Sequence, residues 1–202
     1  AGVRRSIYTS VSPSLPSNNR FVRYKPQVES TVRVSGLEWT VLQPTAFMEI
    51  HAGPPAGWDL IRGRARVAGS GSAPVGYISI DDVAKFAVAA TASDAAKNRN
   101  LPLAGPEPLS ALAAVSIAER VTGRRFYVQR IPLPVLKSAR VVAGLFNPHV
   151  DSLLGMIIGQ ESNDSALPEP AYDAFGLTAI PFSHYVEKSV AIRRGDAAGL
   201  SP

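Results

Sequence analysis

Cysteine is absent from all 202 residues, which excludes disulfides, thiolate metal sites and a cysteine nucleophile. No apolar run approaches the roughly 20 residues that a membrane-crossing helix needs. Concentrated charge is also missing. Lys and Arg number 21 against 16 Asp and Glu, so the net charge of +5 is mild, and it is spread along the chain. Without a basic run, nucleic-acid binding is not implied. The 16 glycines contain no Gly-x-Gly-x-x-Gly, no Gly-x-x-Gly-x-x-Gly and no phosphate loop ending in Gly-Lys-Ser/Thr. Gly69 to Ser72 (GSGS) comes nearest, but Pro74 and a strand follow it, so it reads as a turn with no helix N-terminus behind it. No Gly-x-Ser-x-Gly elbow appears. The three histidines, His51, His149 and His184, stand far apart and in no metal-binding spacing.

What is present is enough for a packed core: 46% of residues are hydrophobic and 18% are charged. Strand-like and helix-like stretches alternate, which predicts an α/β fold with a mainly parallel sheet. Ala1 to Val3 reads as the end of a helix with Gly2 as terminator, and Ser6 to Val11 as a buried strand. A domain rarely starts by ending a helix, so this reading expects residues upstream of Ala1. It also expects the Ser6 to Ser10 strand to have an unpaired edge here, an aggregation hazard.

Ser12 to Asn19 is a loop by composition. A helix is predicted from Phe21 to Ser35, closed by Gly36, with Pro26 in its first turn. Trp39 to Leu42 reads as a strand stopped at Pro44, and Thr45 to Ile50 as short helical or irregular structure. Residues 51 to 76 read as loop with a short strand near Ala65 to Ala68. Tyr77 to Ile80 is strand-like. Asp81 or Asp82 starts a helix to Ala92, and capping accounts for both carboxylates. Leu101 to Leu103 is a short strand. Ser110 caps a helix from Ala111 to Thr122, which Gly123 closes, and Arg125 to Ile131 alternates as a strand. Helices follow at Val135 to Leu145, Val150 to Ile158 and Pro181 to Ile192, with a polar loop at Gln160 to Pro170 and a loose tail from Ala197.

Three clusters fall at the carboxyl ends of predicted strands, where open parallel sheets bind ligands. They are Tyr8 to Ser12, then Tyr24 and Lys25 with Glu29 one turn on, then Gln43 to Phe47. Hydroxyls, an ammonium group and exposed backbone converge there.

Lys25 to Glu29 (KPQVE) and Ser35 to Glu49 (SGLEWTVLQPTAFME) resemble the NmrA-like proteins, atypical members of the short-chain dehydrogenase/reductase superfamily. Tyr77 to Ala84 (YISIDDVA), Leu101 to Ser110 (LPLAGPEPLS) and Ala174 to Phe182 (AFGLTAIPF) fit the same family, in the same order. The resemblance implies the C-terminal part of a Rossmann-like parallel sheet with helices, plus a small α+β substrate lobe. It places a partial NAD(P)-binding domain at residues 1–106, without the glycine-rich half, and a substrate or partner lobe at 107–202. The implied cofactor is NADP or NAD, with weak or no binding by these residues alone. Thr9, Ser10, Lys25, Pro44, Thr45, Ala46 and Phe47 are the implied cofactor contacts. Lys25 would hold the nicotinamide ribose, and Ser10 or Ser12 would polarise a substrate carbonyl. Related enzymes use a Tyr-x-x-x-Lys pair, but Phe21 stands four before Lys25 and has no proton to give. The family holds reductases of quinones or other small molecules and also non-catalytic redox sensors that bind a protein partner. Both remain open here, as does an inactive fragment. A cytoplasmic location, no nucleic acid and no membrane complete the expectation.

Overall fold

The computed structural model describes residues 2–15, 20–161 and 171–194. Among them a three-stranded parallel sheet runs in the order β1 (Arg5–Thr9), β2 (Glu38–Pro44), β7 (Arg99–Leu103). The register sets Arg5 beside Glu38 and Thr9 beside Leu42, and Thr40 beside Arg99 and Pro44 beside Leu103. Parallel neighbours need crossover connections. Helix α1 (Arg20–Arg33) supplies the first, and the second passes through a separate set of short strands and α3 (Ile80–Ala92). The central strand β2 is covered on both faces: the consecutive residues Thr40, Val41 and Leu42 are fully buried. Strand β1 pairs with β2 alone among the described residues.

Gly2 does not adopt the left-handed conformation of a helix-closing glycine. Residues 2–4 lead straight into β1. Ala1, the Pro16 to Asn19 part of the predicted loop, the 162–170 stretch and the tail from Ala197 lie outside the described residues. Gln160 and Glu161, predicted as loop, continue a helix. Pro26 sits in the second turn of α1, because the helix begins at Arg20. Pro26 itself is exposed, and the helix does without the hydrogen bond to the Val22 carbonyl that its missing N–H would have made.

The chain leaves the sheet at Thr45 and forms β3 (Ala46–Phe47), α2 (Met48–His51) and a single 3-10 turn at Pro54–Ala56. Three strand pairs build the second half: β3 with β6 (Tyr77–Ile78), β4 (Arg64–Ala68) with β9 (Tyr127–Ile131), and β5 (Pro74–Val75) with β8 (Leu109–Ser110). Helices α4 (Ala111–Thr122), α5 (Leu133–Phe146), α6 (Pro148–Glu161) and α7 (Phe182–Arg194) complete it. Ser110 accepts from the Ala113 N–H and Gly123 closes α4 at φ 66°, as the pattern predicts.

Helix α3 differs from its prediction. Ser79 is its cap, accepting from the Asp81 N–H at 3.2 Å. Asp81 instead pairs with Lys188 of α7 at 2.5 Å. Asp82 is wholly buried and accepts from the Tyr172 hydroxyl at 2.9 Å, the Ile180 N–H at 2.8 Å and Lys85 at 3.1 Å. Capping therefore does not account for it. A buried carboxylate is tolerable only with such donors.

Two hydrophobic cores result, and they interleave in sequence. One gathers Leu42, Ile78, Phe86, Leu103 and Tyr172 beneath the sheet, with the Phe86 and Tyr172 rings 5.1 Å apart. The other gathers Met48, Trp58, Val67, Tyr77 and Phe182. Strand alternation splits β3 and β6 between them: Ala46 and Tyr77 face one core, Phe47 and Ile78 the other. Gly105 is obligatory beside this seam, since a Cβ there would lie 1.6 Å from the Tyr77 carbonyl oxygen. No helix among the described residues is long and apolar enough to cross a membrane.

Candidate functional site

The carboxyl edge of the parallel sheet brings together most of the residues that sequence reasoning selected. Beyond the last ladder pair the chains stay joined: Ser10 N–H donates to the Leu42 carbonyl at 2.7 Å, Ser12 N–H to Pro44 at 2.9 Å and Thr45 N–H to Leu103 at 2.9 Å. Thr9, Ser10, Ser12, Pro44 and Thr45 therefore share one edge. Helix α1 adds Lys25, whose ammonium donates to the Thr9 carbonyl at 3.0 Å and lies 5.1 Å from the centre of the Tyr8 ring. Burial lowers the Lys25 pKa, and the nearby Glu29 charge opposes that shift.

Glu29 is the electrostatic centre of this edge. It is 7% exposed and accepts from Ser10 Oγ at 2.5 Å, Gln43 Nε2 at 3.3 Å and Arg33 at 2.6 Å. Burial pushes its carboxyl upward, but those donors outweigh it and hold the pKa below the ordinary value. The same charge, after burial, raises the Tyr8 phenol. Ser10 is thus committed to a carboxylate, and Ser12 Oγ shares a 2.8 Å hydrogen bond with Ser14. Thr45 Oγ1 donates to the Gly76 carbonyl, fixing the exit from the sheet. Of the remaining residues in the set, Pro44 and Ala46 are buried, and Phe47 packs half-buried against the core beneath the sheet. Tyr24 is exposed beside Lys25, with Arg23 over its ring. Phe21 lies in the first turn of α1.

A second concavity has a different character. A cavity of about 200 Å³ lies between α2, the Pro54–Ala56 turn, β4 and α6. None of the strand-edge residues lines it. Its walls are mainly Pro, Val, Leu and Ile side chains with the Trp58 ring, and its polar groups are His51, Arg66, Tyr77 and Glu161. Burial lowers the His51 pKa to about 4, so the imidazole is neutral at pH 7. Burial, and then the Glu161 charge, raise the Tyr77 phenol far above its ordinary value. The Gly69 to Ser72 segment is a turn, as the sequence implies, and it grips Glu161: Ser70 N–H donates to that carboxylate at 3.1 Å and Ser70 Oγ at 3.2 Å. Gly69 is required there, with φ 55° and room for a Cβ only 2.6 Å from the same oxygen.

No protein-family model matches the chain. Photosystem II assembly factor Ycf39 of Synechocystis is 24% identical over 186 residues, 88% of this chain and 56% of that protein. A (4-alkanoyl-5-oxo-2,5-dihydrofuran-3-yl)methyl phosphate reductase of Streptomyces griseus is 31% identical over 142 residues, 69% of this chain and 49% of the reductase. The chain thus spans about half the length of the curated relatives it matches. Among solved structures, an NADPH-dependent quinone oxidoreductase of Escherichia coli complexed with NADPH superposes with a TM-score of 0.72 at 17% identity, covering 94% of this chain and 67% of that one. The likeness shows the fold: mixed α/β with a parallel sheet, resembling the Rossmann-like folds of such reductases.

Sequence reasoning found the strand-edge set because strand ends are locally marked. It passed over the cavity, whose wall combines residues from several elements more than 100 positions apart. Tyr77 and His51 carry no local signal of that role. No cluster of three or more His, Asp or Glu suited to a metal occurs among the described residues.

Proposed function

We propose that the carboxyl edge of β1 and β2 forms the nicotinamide end of an NAD(P)(H) site, in an oxidoreductase acting on a small carbonyl or quinone-type molecule. The observation that carries this reading is the meeting of Lys25, Thr9, Ser10 and Thr45 at one edge of a parallel sheet. Similarity to a reductase and to an NADPH-complexed quinone oxidoreductase supports it. The residues fit a ribose and nicotinamide: an ammonium held at a strand end, hydroxyls on adjacent loops and the half-buried Thr45 and Phe47 beside them. They offer no glycine-rich turn opening a helix for a diphosphate. When bound, the dinucleotide supplies the hydride. The chain's own part is to orient it, with Lys25 held by Thr9. Domain 1–106 takes the cofactor on this reading, and 107–202 the substrate or a partner.

A specific feature favours the second reading, a redox-sensing regulator without turnover. Ser10 already donates to Glu29, and Phe21 occupies the place of an acid. The deciding measurement is NADPH oxidation against a quinone panel, with NADPH binding followed by nicotinamide fluorescence, on the product of the whole reading frame. Turnover that drops at least tenfold in Lys25→Ala supports the reductase. Binding without turnover leaves the sensor. Unchanged turnover in Lys25→Ala removes that residue's role.

A further inference from the structure

The Tyr77 hydroxyl is the unusual group in the second cavity. Tyr77 is 4% exposed, and its hydroxyl forms no hydrogen bond to any described residue. Yet among the described residues no fully enclosed side-chain oxygen or nitrogen lacks a partner. This hydroxyl therefore keeps a small accessible surface, and Tyr77 lines the cavity. Nearly all buried phenols find a partner inside the protein. This one is held rigidly without one, with the Tyr77 and Phe182 rings 5.6 Å apart and Gly105 pressed against its backbone.

The other groups define what fits beside it. Trp58 is 3% exposed and its indole N–H is already given to the Arg66 carbonyl at 3.0 Å, so it offers the cavity only ring surface. Leu136, Leu153, Leu154 and Ile157 close the opposite side. His51 is neutral at pH 7, the Glu161 carboxylate is held by Ser70, and Arg66 donates to Gln129 at 3.2 Å. The cavity thus has mainly apolar walls, an exposed Arg66 at its lining and one buried hydroxyl without a partner among the described residues.

We propose that this cavity binds a flat, uncharged, apolar molecule carrying a single hydrogen-bond acceptor such as a ketone oxygen, and that the Tyr77 hydroxyl donates to that acceptor. A donor without a partner in the empty cavity gains a full hydrogen bond from the ligand, whereas an acceptor-free ligand leaves it unpaired. A carboxylate ligand is disfavoured, because it would leave water for mainly apolar walls beside Glu161, while the one cation in the lining, Arg66, is solvent-exposed and already hydrogen-bonded to Gln129. The assignment needs neither a dinucleotide nor turnover, so it stands or falls separately from the reductase reading.

Saturable quenching of tryptophan fluorescence provides the test, since Trp58 is in the wall and Trp39 lies in β2, away from it. The probes are 2-acetylnaphthalene, 2-ethylnaphthalene and 2-naphthoate. The ketone is expected to bind fivefold to tenfold more tightly than the hydrocarbon, about the worth of one neutral hydrogen bond, and the carboxylate weakest. Tyr77→Phe is expected to erase the ketone's advantage and leave the hydrocarbon within twofold. Leu154→Phe, which puts a ring into the space, is expected to weaken the ketone and the hydrocarbon at least tenfold. Equal ketone and hydrocarbon affinity in the unmodified protein overturns the proposal even if Tyr77→Phe fails to fold. So does a tight naphthoate complex, a ketone affinity unchanged in Tyr77→Phe, binding indifferent to Leu154→Phe, or no saturable quenching by any probe.

Discussion

The strand-edge crevice and the cavity beneath α6 handle polarity in opposite ways. In the crevice every prominent polar side chain is already engaged: Glu29 takes three donors, Ser12 meets Ser14, and Lys25 holds the Thr9 carbonyl. In the cavity a buried phenol has no partner at all among the described residues. The first arrangement is rigid and internally satisfied, so a ligand must use backbone, apolar surface or an exchange of existing hydrogen bonds. The second leaves a donor in waiting. A concave surface rich in polar residues is therefore not by itself the more receptive one.

Substitutions at three positions probe that contrast. The largest effect belongs to Glu29→Ala, which strands Ser10 and Gln43 and should cost about 3 kcal/mol in urea unfolding. Because the Glu29 pKa is depressed, its contribution is present above the unfolded-state value of 4.5 and is lost as pH falls below it. Glu29→Gln should flatten stability in that acid window, and an unchanged acid limb would contradict the network. Next comes His51, also with a depressed pKa. The unfolded chain takes up a proton below 6.5 while the folded one resists until about 4. Stability should thus fall by ~2 kcal/mol across that interval, after discount for the part of the imidazole still open to the cavity. His51→Gln should remove the slope. The cavity therefore weakens at a higher pH than the crevice, and a single acid transition below pH 4.5 would break the distinction. The smallest effect is Tyr77→Phe, expected within about 0.5 kcal/mol of the parent, since no protein acceptor loses a donor. A loss of 2 kcal/mol would mean the hydroxyl has a structural partner after all.

The sequence made local features readable. Ser110 and Gly123 bracket α4 as their residue types require, and the alternation of Arg125 to Ile131 becomes β9. The alternating α/β order and the gathering of Thr9, Ser10, Lys25 and Pro44 at one edge were likewise legible, because strand ends are marked by composition. Features set by distant partners were not. Asp82 looks like any acidic residue in a first turn, and only Tyr172 and Ile180 reveal its burial. Ser79 was overlooked as the cap because two aspartates beside it fit the pattern as well. Pro26 was placed by rule in a first turn, but the helix starts earlier on residues with no capping signature. Nothing near Tyr77 announces that its hydroxyl goes unmatched.

Asp82 has a consequence for the order in which the molecule can be made. Its partners Tyr172 and Ile180 follow it by 90 and 98 residues. While a ribosome is still translating that interval, the carboxylate has no donors but Lys85, and the Phe86 ring lacks Tyr172 and Phe175 over it. The layer beneath the sheet can close only after the chain has emerged as far as Ile180. Until then a nascent polypeptide of this sequence stays open at its centre.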